Sequence, residues 1–241
     1  MLIFSKSDRG LKRDENQDSV YTGFLSDNSA FAVVCDGMGG VGGGSLASSV
    51  AVEEIVSYIN KSYTRRMSRD SVLSLMKNAL TSANMRIYEK AKEDPEFDGM
   101  GTTAVILIVR NSFALICHVG DSRAYLISDK ISQITRDHSV VQTLLENGKL
   151  TPDEAKSHPR KNIITRALGV EKEVLPDLTE LHIEIGNTVL LCSDGLTNYV
   201  DESSIIKTFE DNDISEVAEK LVDIANANGG GDNITVVTVT L

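Results

Sequence analysis

The sequence predicts an α+β fold, and three observations lead there. Blocks of alternating or β-branched residues recur along the 241-residue chain. Many of them are joined by turns of two or three residues, so those strands must pair antiparallel. The helical stripes between the blocks do not alternate strand by strand, which argues against a βαβ repeat.

Residues 2–7, 18–25 and 29–35 read as the first three strands, with Asp27-Asn28 as the turn between the last two. Ala47, Ala51, Ile55 and Ile59 then recur at i+4. Val72, Met76, Leu80, Ala83, Ile87 and Ala91 form a second stripe over 70–93. Each spacing puts one apolar face on a helix. Residues 102–109, 113–119, 122–128 and 131–135 read as four more strands, turning at Arg110-Asn111-Ser112 and Ser128-Asp129-Lys130. The segment 137–169 is different: polar, helical and loop-like, with Gly148, Pro152, Pro159 and Gly169. An insert of that size in a compact domain suits a lid or binding loop. Residues 179–185 and 187–193 read as a pair around Gly186-Asn187. Ile214, Val217, Ala218, Leu221, Val222 and Ala225 mark a third amphipathic helix, and the β-branched run Ile234–Val239 closes the chain as a strand. With no repeat and no linker, one domain over 1–241 is expected.

Lys+Arg 24 against Asp+Glu 35 gives a net charge of −11, which argues against a nucleic-acid-binding face. Hydrophobic residues at 41% and charged residues at 24% match an ordinary globular chain and argue against disorder. The apolar run Ala104–Val109 is far short of the ~20 residues a membrane-spanning helix needs. Met1–Lys6 lacks the charged-then-apolar order of a secretory signal. Cys35, Cys117 and Cys192 each end an apolar run and form no C-x-x-C pair. They are expected to be buried small hydrophobes in a reducing, cytoplasmic setting.

The chemistry gathers at strand ends. Phe31–Cys35 runs into Asp36-Gly37, and Thr188–Cys192 runs into Ser193-Asp194-Gly195. Asp232 precedes the last strand in Gly231-Asp232-Asn233; Asp121 lies in Gly120-Asp121-Ser122-Arg123; Asp18 opens the second strand. Alone, an Asp-Gly pair is an ordinary turn signal. Converging, five acids are costly, because two carboxylates ~4 Å apart repel by roughly 4 kcal/mol at an effective dielectric of 20. Hard divalent cations, Mg²⁺ or Mn²⁺, offset that charge and favour oxygen ligands. The four histidines, His118, His138, His158 and His182, are scattered and give no zinc spacing. An anionic substrate would call for a guanidinium, and Arg13, five residues before Asp18, is the candidate.

Together, Asp8–Asp18, Val34–Gly40, Gly101–Thr103, Val119–Arg123, Ile164–Gly169, Ser193–Thr197 and Gly231–Thr235 resemble the metal-dependent serine/threonine protein phosphatases of the type 2C (PPM) family, in its compact bacterial form. The segments occur in family order over nearly the whole chain. The resemblance implies a four-layer αββα sandwich of two antiparallel sheets flanked by helices. It implies two Mn²⁺ or Mg²⁺, with Asp36 bridging both, the Gly37 carbonyl on one, and Asp194 and Asp232 on the other. Asp18 would hold a water on the metal, Arg13 would bind phosphate, and Asp121 would help hold a third, weaker ion. The segment 137–169 would be the family's mobile flap, with Arg166 as its candidate substrate residue. The implied reaction is in-line attack of a metal-activated water on phosphoserine or phosphothreonine in proteins. The implied setting is a cytoplasmic monomer opposing a Ser/Thr protein kinase, without nucleic-acid or membrane partners.

This chain departs from the family at three places. Met38 stands where many relatives have a histidine, and it cannot donate a proton. Asn198, an uncharged oxygen ligand, stands where relatives often have an acid, which weakens the third site. Gly44-Ser45 replaces a frequent Gly-Glu, and Ser45 is expected to cap the first helix. Two rival chemistries read poorly. In Gly37–Gly42, which fits G-x-G-x-x-G, Asp36 would repel a pyrophosphate. Cys117 and Arg123 fit C-x5-R, but Asp121 lies inside that loop and a strand follows. The acids do not choose the leaving group, so a small-molecule phosphoesterase stays open. So does a phosphoprotein-binding scaffold, although its mark would be a lost metal carboxylate.

Overall fold

Alternation along the central strands decides the architecture. In a computed structural model, which describes residues 1–40, 42–156 and 158–241, successive side chains of the central strands enter different cores. Phe31, Val33, Cys35, Ile106 and Ile108 point to one side of their sheet, Ala32, Val34, Val105 and Leu107 to the other, all fully buried. Strands covered on both faces belong inside a layered sandwich.

The strands are β1 (Leu2–Asp8), β2 (Asp18–Phe24), β3 (Ala30–Met38), β4 (Gly101–Thr102), β5 (Ala104–Arg110), β6 (Phe113–Val119), β7 (Arg123–Ile127), β8 (Ile131–Gln133), β9 (Asp177–His182), β10 (Thr188–Cys192) and β11 (Ile234–Thr240). One sheet runs β2-β3-β5-β6-β9, with β4 pairing to β3; the other runs β1-β11-β10-β7-β8. Every ladder is antiparallel. The middle core packs Val105, Leu107 and Ile116 of the first sheet against Val189, Leu191, Val237 and Val239 of the second.

Helices α1 (Gly43–Ser62) and α2 (Arg69–Glu93) cover the first sheet's outer face with Ala47, Ile55, Met76 and Leu80. Helices α5 (Asp194–Thr197), α6 (Glu202–Asp211) and α7 (Ile214–Ala227) cover the second with Leu196, Ile205, Val217 and Leu221. Each such side chain larger than Ala contributes ~1.5–3 kcal/mol by leaving water, so three stacked cores suffice without staples; Cys35, Cys117 and Cys192 are buried and free. The insert carries two short helices, α3 (Val140–Glu146) and α4 (Pro152–Lys156). Val41 of the glycine run and Ser157 of the insert lie outside the described residues.

Three local expectations need correction, and one helix is added. The third strand does not stop at Cys35: β3 continues through Asp36 and Gly37, which pair with Asp18 and Thr102. Residues 179–185 and 187–193 are not a hairpin. β9 pairs with β6 and β10 with β7 and β11, because the Gly186 turn (φ 91) carries the chain from one sheet to the other. Ser45 is not the cap of α1; Gly42 is, with φ 77, and the Ser45 hydroxyl donates back to the Gly42 carbonyl at 3.1 Å. Helix α6 was not anticipated, because it buries only Ile205 and Thr208; its start is capped by Asp201 Oδ1, which accepts from the Ser204 amide at 2.7 Å.

Candidate metal centre

Register places the first two acids. Asp18 and Asp36 are direct partners in the β2–β3 ladder. The Asp36 main chain is fully engaged: its amide donates to Thr103 Oγ1 at 3.0 Å, and its carbonyl accepts from the Thr103 amide and the Thr102 hydroxyl, each at 2.8 Å. With the backbone held, the carboxylate is aimed into a pocket. Gly37 follows because nothing larger fits: a Cβ there would lie 2.0 Å from the Gly44 carbonyl oxygen.

The second sheet supplies two more acids. β10 ends at Cys192, and Ser193 turns the chain so that Asp194 sits in the first turn of α5. The Ser193 hydroxyl accepts from the Thr235 amide at 2.9 Å, and the Ser193 amide donates to the Thr235 carbonyl at 3.1 Å. Gly195 allows the close approach of the neighbouring loop, since a Cβ there would lie 1.9 Å from the Asn233 carbonyl oxygen. Asp194 and Asp232 therefore stand side by side.

Asp36, Asp121, Asp194 and Asp232 line one pocket of about 730 Å³, together with Arg13, Gly37 and Met38. Asp18, the ladder partner of Asp36, is buried beside it. Burial, then Asp18, Asp194, Asp121 and Asp232 in that order, pushes Asp36 well above the usual carboxylate range. Burial and then Asp232 raise Asp194. Burial and then Asp194 push Asp121 up to about 7. Asp18 is also pushed up to about 7 by burial, although the Thr235 and Ser193 hydroxyls donate to its Oδ2 at 2.7 and 2.8 Å. Its other oxygen, Oδ1, is buried and accepts nothing. A cluster of acids destabilising one another, with a buried oxygen left unpartnered, fits hard divalent cations and their water. The donors are all oxygen, which suits Mg²⁺ or Mn²⁺.

Residues 11–228 match the family model described as protein phosphatase 2C. The chain belongs to that family. It is 38% identical over 236 residues to the serine/threonine phosphatase stp of Listeria monocytogenes, covering 97% of this chain and 93% of that one. The crystal structure of the serine/threonine phosphatase Stp1 from Staphylococcus aureus superposes with a TM-score of 0.94 at 35% identity, covering 99% of this chain and 94% of that one. The catalytic domain of the serine/threonine protein phosphatase PstP, solved in complex with two manganese ions, superposes with a TM-score of 0.86 at 34% identity, covering 98% and 96%.

Within this 2C-family fold the remaining candidates fall into two groups. Arg13 is at the pocket, with Nη2 donating to Asp232 Oδ2 at 2.9 Å; that bond first, and the nearby acids after it, raise the guanidinium pKa. Asn198 does not offer an oxygen to the cluster. A carboxylate only accepts, so the Asn198 amide turns its Nδ2 to Asp194 Oδ2 at 2.9 Å, while Oδ1 accepts from Lys161 Nζ at 3.4 Å. Arg166 is not brought to the pocket; its Nη1 lies 2.9 Å from Asp177 Oδ1. The histidines are not all scattered either: His118 and His138 stack at 4.7 Å, beside Asp177.

The two rival chemistries fail on geometry. Cys117 is buried in the helix-facing core with its thiol pushed up by burial, and Arg123 is committed to Asp137 at 2.7 Å. β3 leads through α1 and α2 to antiparallel strands, so among the described residues there is no parallel dinucleotide crossover. One further residue, in the Gly231–Thr235 segment, shapes the site. Asn233 donates to the carbonyls of Arg9 and Glu15, at 2.8 and 2.9 Å, and accepts from the Gln17 amide at 2.8 Å. It ties the Arg13 loop to the Asp232 loop. The signal was a lone Asn beside an Asp, which sequence alone does not separate from a turn.

Proposed function

We propose that this protein phosphatase hydrolyses phosphoserine and phosphothreonine in proteins, with two Mn²⁺ or Mg²⁺ held by Asp36, the Gly37 carbonyl, Asp194 and Asp232. The observation that carries the reading is the convergence of four aspartates from both sheets on one pocket, with Asp18 buried next to Asp36 and one of its oxygens left unpartnered. When bound, such a metal pair lowers the pKa of a water to make a nucleophile at neutral pH and neutralises phosphoryl oxygens.

The chain's own residues do the rest. Asp18 Oδ1 accepts from a water in the pocket and orients it. Arg13 binds the phosphoryl oxygens with its guanidinium, and Asp232 holds that guanidinium in place. Asp121 holds a third, weaker cation. Met38 lines the pocket but has no proton to give, so the proton for the leaving oxygen has to come from water or another group. Asn162 and Ile164 of the 137–169 flap also line the pocket, which supports a role of the flap toward peptide substrates.

Residues 1–241 act as one catalytic domain, a monomer opposing a Ser/Thr protein kinase. Three free, buried cysteines support a reducing, cytoplasmic setting, and the net charge of −11 speaks against nucleic acid. Among the described residues no helix is long and apolar enough to cross a membrane. The test is release of inorganic phosphate from phosphoserine and phosphothreonine peptides across a Mn²⁺ and Mg²⁺ series. Release that depends on the cation and stops in EDTA is expected; undiminished release in EDTA would refute the reading.

A further inference from the structure

Outside the pocket, His118, His138, Asp177 and Arg166 form a second cluster of polar side chains. It is not a metal site. The two imidazoles stack 14° from parallel, so their in-plane lone pairs run side by side and do not converge on an ion about 2.0–2.1 Å from each. The Arg166 guanidinium already supplies a cation at Asp177.

What the cluster joins is more informative. His138 sits at the first root of the flap and grips Gly120, the residue before Asp121, at two points. The His138 amide donates to the Gly120 carbonyl at 2.9 Å, and the Gly120 amide donates to His138 Nδ1 at 3.1 Å. An N–H can only donate, so Nδ1 carries the lone pair and Nε2 the hydrogen. That Nε2 faces Asp177 Oδ2 at 3.3 Å, and Arg166 Nη1, itself only a donor, lies 3.1 Å from it. The second root of the flap closes on the same residues: the Thr165 amide donates to the His138 carbonyl at 2.7 Å, and Arg166 donates to the other oxygen of Asp177. Ile164, which lines the pocket, is the neighbour of Thr165. His118 fixes the first root from below, donating from Nε2 to the Arg136 carbonyl at 3.0 Å and stacking under His138. Burial lowers the pKa of both imidazoles, which agrees with neutral rings.

We propose that His138 is a positioning residue that fastens the flap to the Asp121 turn, so that the weakest cation in the pocket and the seating of the flap respond together. This rests on the pocket being the cation site proposed above. Metal ligands depend on the groups that orient them, and losing such a group weakens binding by about 10- to 100-fold. Here the grip is on the peptide before Asp121, so the cations at Asp36, Asp194 and Asp232 are not expected to change.

The test is Mn²⁺ titration and amide hydrogen exchange on the full chain, as wild type, His138→Ala, His138→Asn and Arg166→Gln. In His138→Ala, the weakest Mn²⁺ affinity should fall about tenfold with the tighter ones unchanged, and the Gly120 and Thr165 amides should exchange faster. His138→Asn puts an oxygen where Nδ1 was and should recover most of both. Arg166→Gln, at the more exposed side of the cluster, should move both in the same direction by less. A purely structural role would lower the melting temperature without separating weak from tight sites, and Asn would not rescue it. If His138→Ala does not fold, Arg166→Gln and Asp177→Asn decide the question. Unchanged weak-site affinity and Gly120 exchange in the folded variants would overturn the proposal, as would a wild-type chain that binds only two Mn²⁺. A wild type that binds no Mn²⁺ would instead refute the reading of the pocket.

Discussion

Arg13 and Asp232, at opposite ends of the chain, meet across the pocket with Nη2 2.9 Å from Oδ2. The guanidinium proposed for phosphate is thus held by one of the carboxylates proposed for metal. Both sit on loops that Asn233 ties together, so the groups proposed for phosphate and cation are linked through one residue.

Arg13→Ala should therefore weaken substrate binding more than turnover. A lost charge-assisted hydrogen bond of about 1.5–3 kcal/mol corresponds to a roughly 10- to 150-fold rise in KM. Steady-state kinetics on a phosphopeptide read this directly. An unchanged KM would remove Arg13 from the phosphate site. Arg13→Lys keeps the charge but loses the planar fork, so it should recover only part.

Without metal, the cluster should make stability fall as pH rises. The unfolded aspartates titrate near 3.8, whereas Asp18 and Asp121 are pushed up to about 7 by burial and by neighbouring acids. Between those values the native state binds more protons than the unfolded one, so unfolding free energy declines with pH. That stability is fully present below pH ~4 and gone above pH ~7. Melting curves in EDTA should show the decline. Added Mn²⁺ binds the deprotonated native state and should raise the melting temperature most at the upper end. A melting temperature in EDTA that rises over this range would contradict the account.

Asp36→Asn separates stability from activity. It removes a buried carboxyl whose charged form is opposed by Asp18, Asp194, Asp121 and Asp232. The metal-free variant should melt higher than wild type, at about 2–4 °C per kcal/mol relieved. Its phosphatase activity should drop by roughly 100-fold or more, because the ligand proposed to bridge both cations is lost. A variant that melts lower in EDTA would show that the acids do not strain the metal-free fold.

Asn198→Asp tests this chain's own departure. The Asn198 Nδ2 now donates to Asp194 Oδ2, and Lys161 binds its oxygen. An aspartate would exchange a donor for a charge beside Asp194. Calorimetric titration should show the weakest Mn²⁺ binding tighten, by about tenfold, while the metal-free protein loses stability. Unchanged weak-site binding would place residue 198 outside the cation shell.

The layers of the fold were readable because periodicity reports burial. The stripes of α1, α2 and α7 and the β-branched runs of β5, β6 and β11 bury the faces their spacing sets. Helix α6 was not readable, since two buried residues make no stripe. Neither was the switch of sheets between β9 and β10, because a Gly-Asn turn looks alike whether it closes a hairpin or bridges two layers. The acids of the pocket could be named one by one, as each ends or opens a strand. Which of them meet could not be read from any one segment.

The sequence by itself determined the strand and helix types, the buried cysteines, and a set of aspartates whose order along the chain matches the 2C family. Only the tertiary structure decided that Asp18 faces Asp36, that Asn198 turns its nitrogen to Asp194, and that Arg166 pairs with Asp177 instead of reaching the pocket. The reason is physical. Local pattern sets which face of a segment leaves water, whereas the energy of a charge or hydrogen bond depends on what stands a few ångström away. That neighbour is supplied by strand register and by loops from distant parts of the chain.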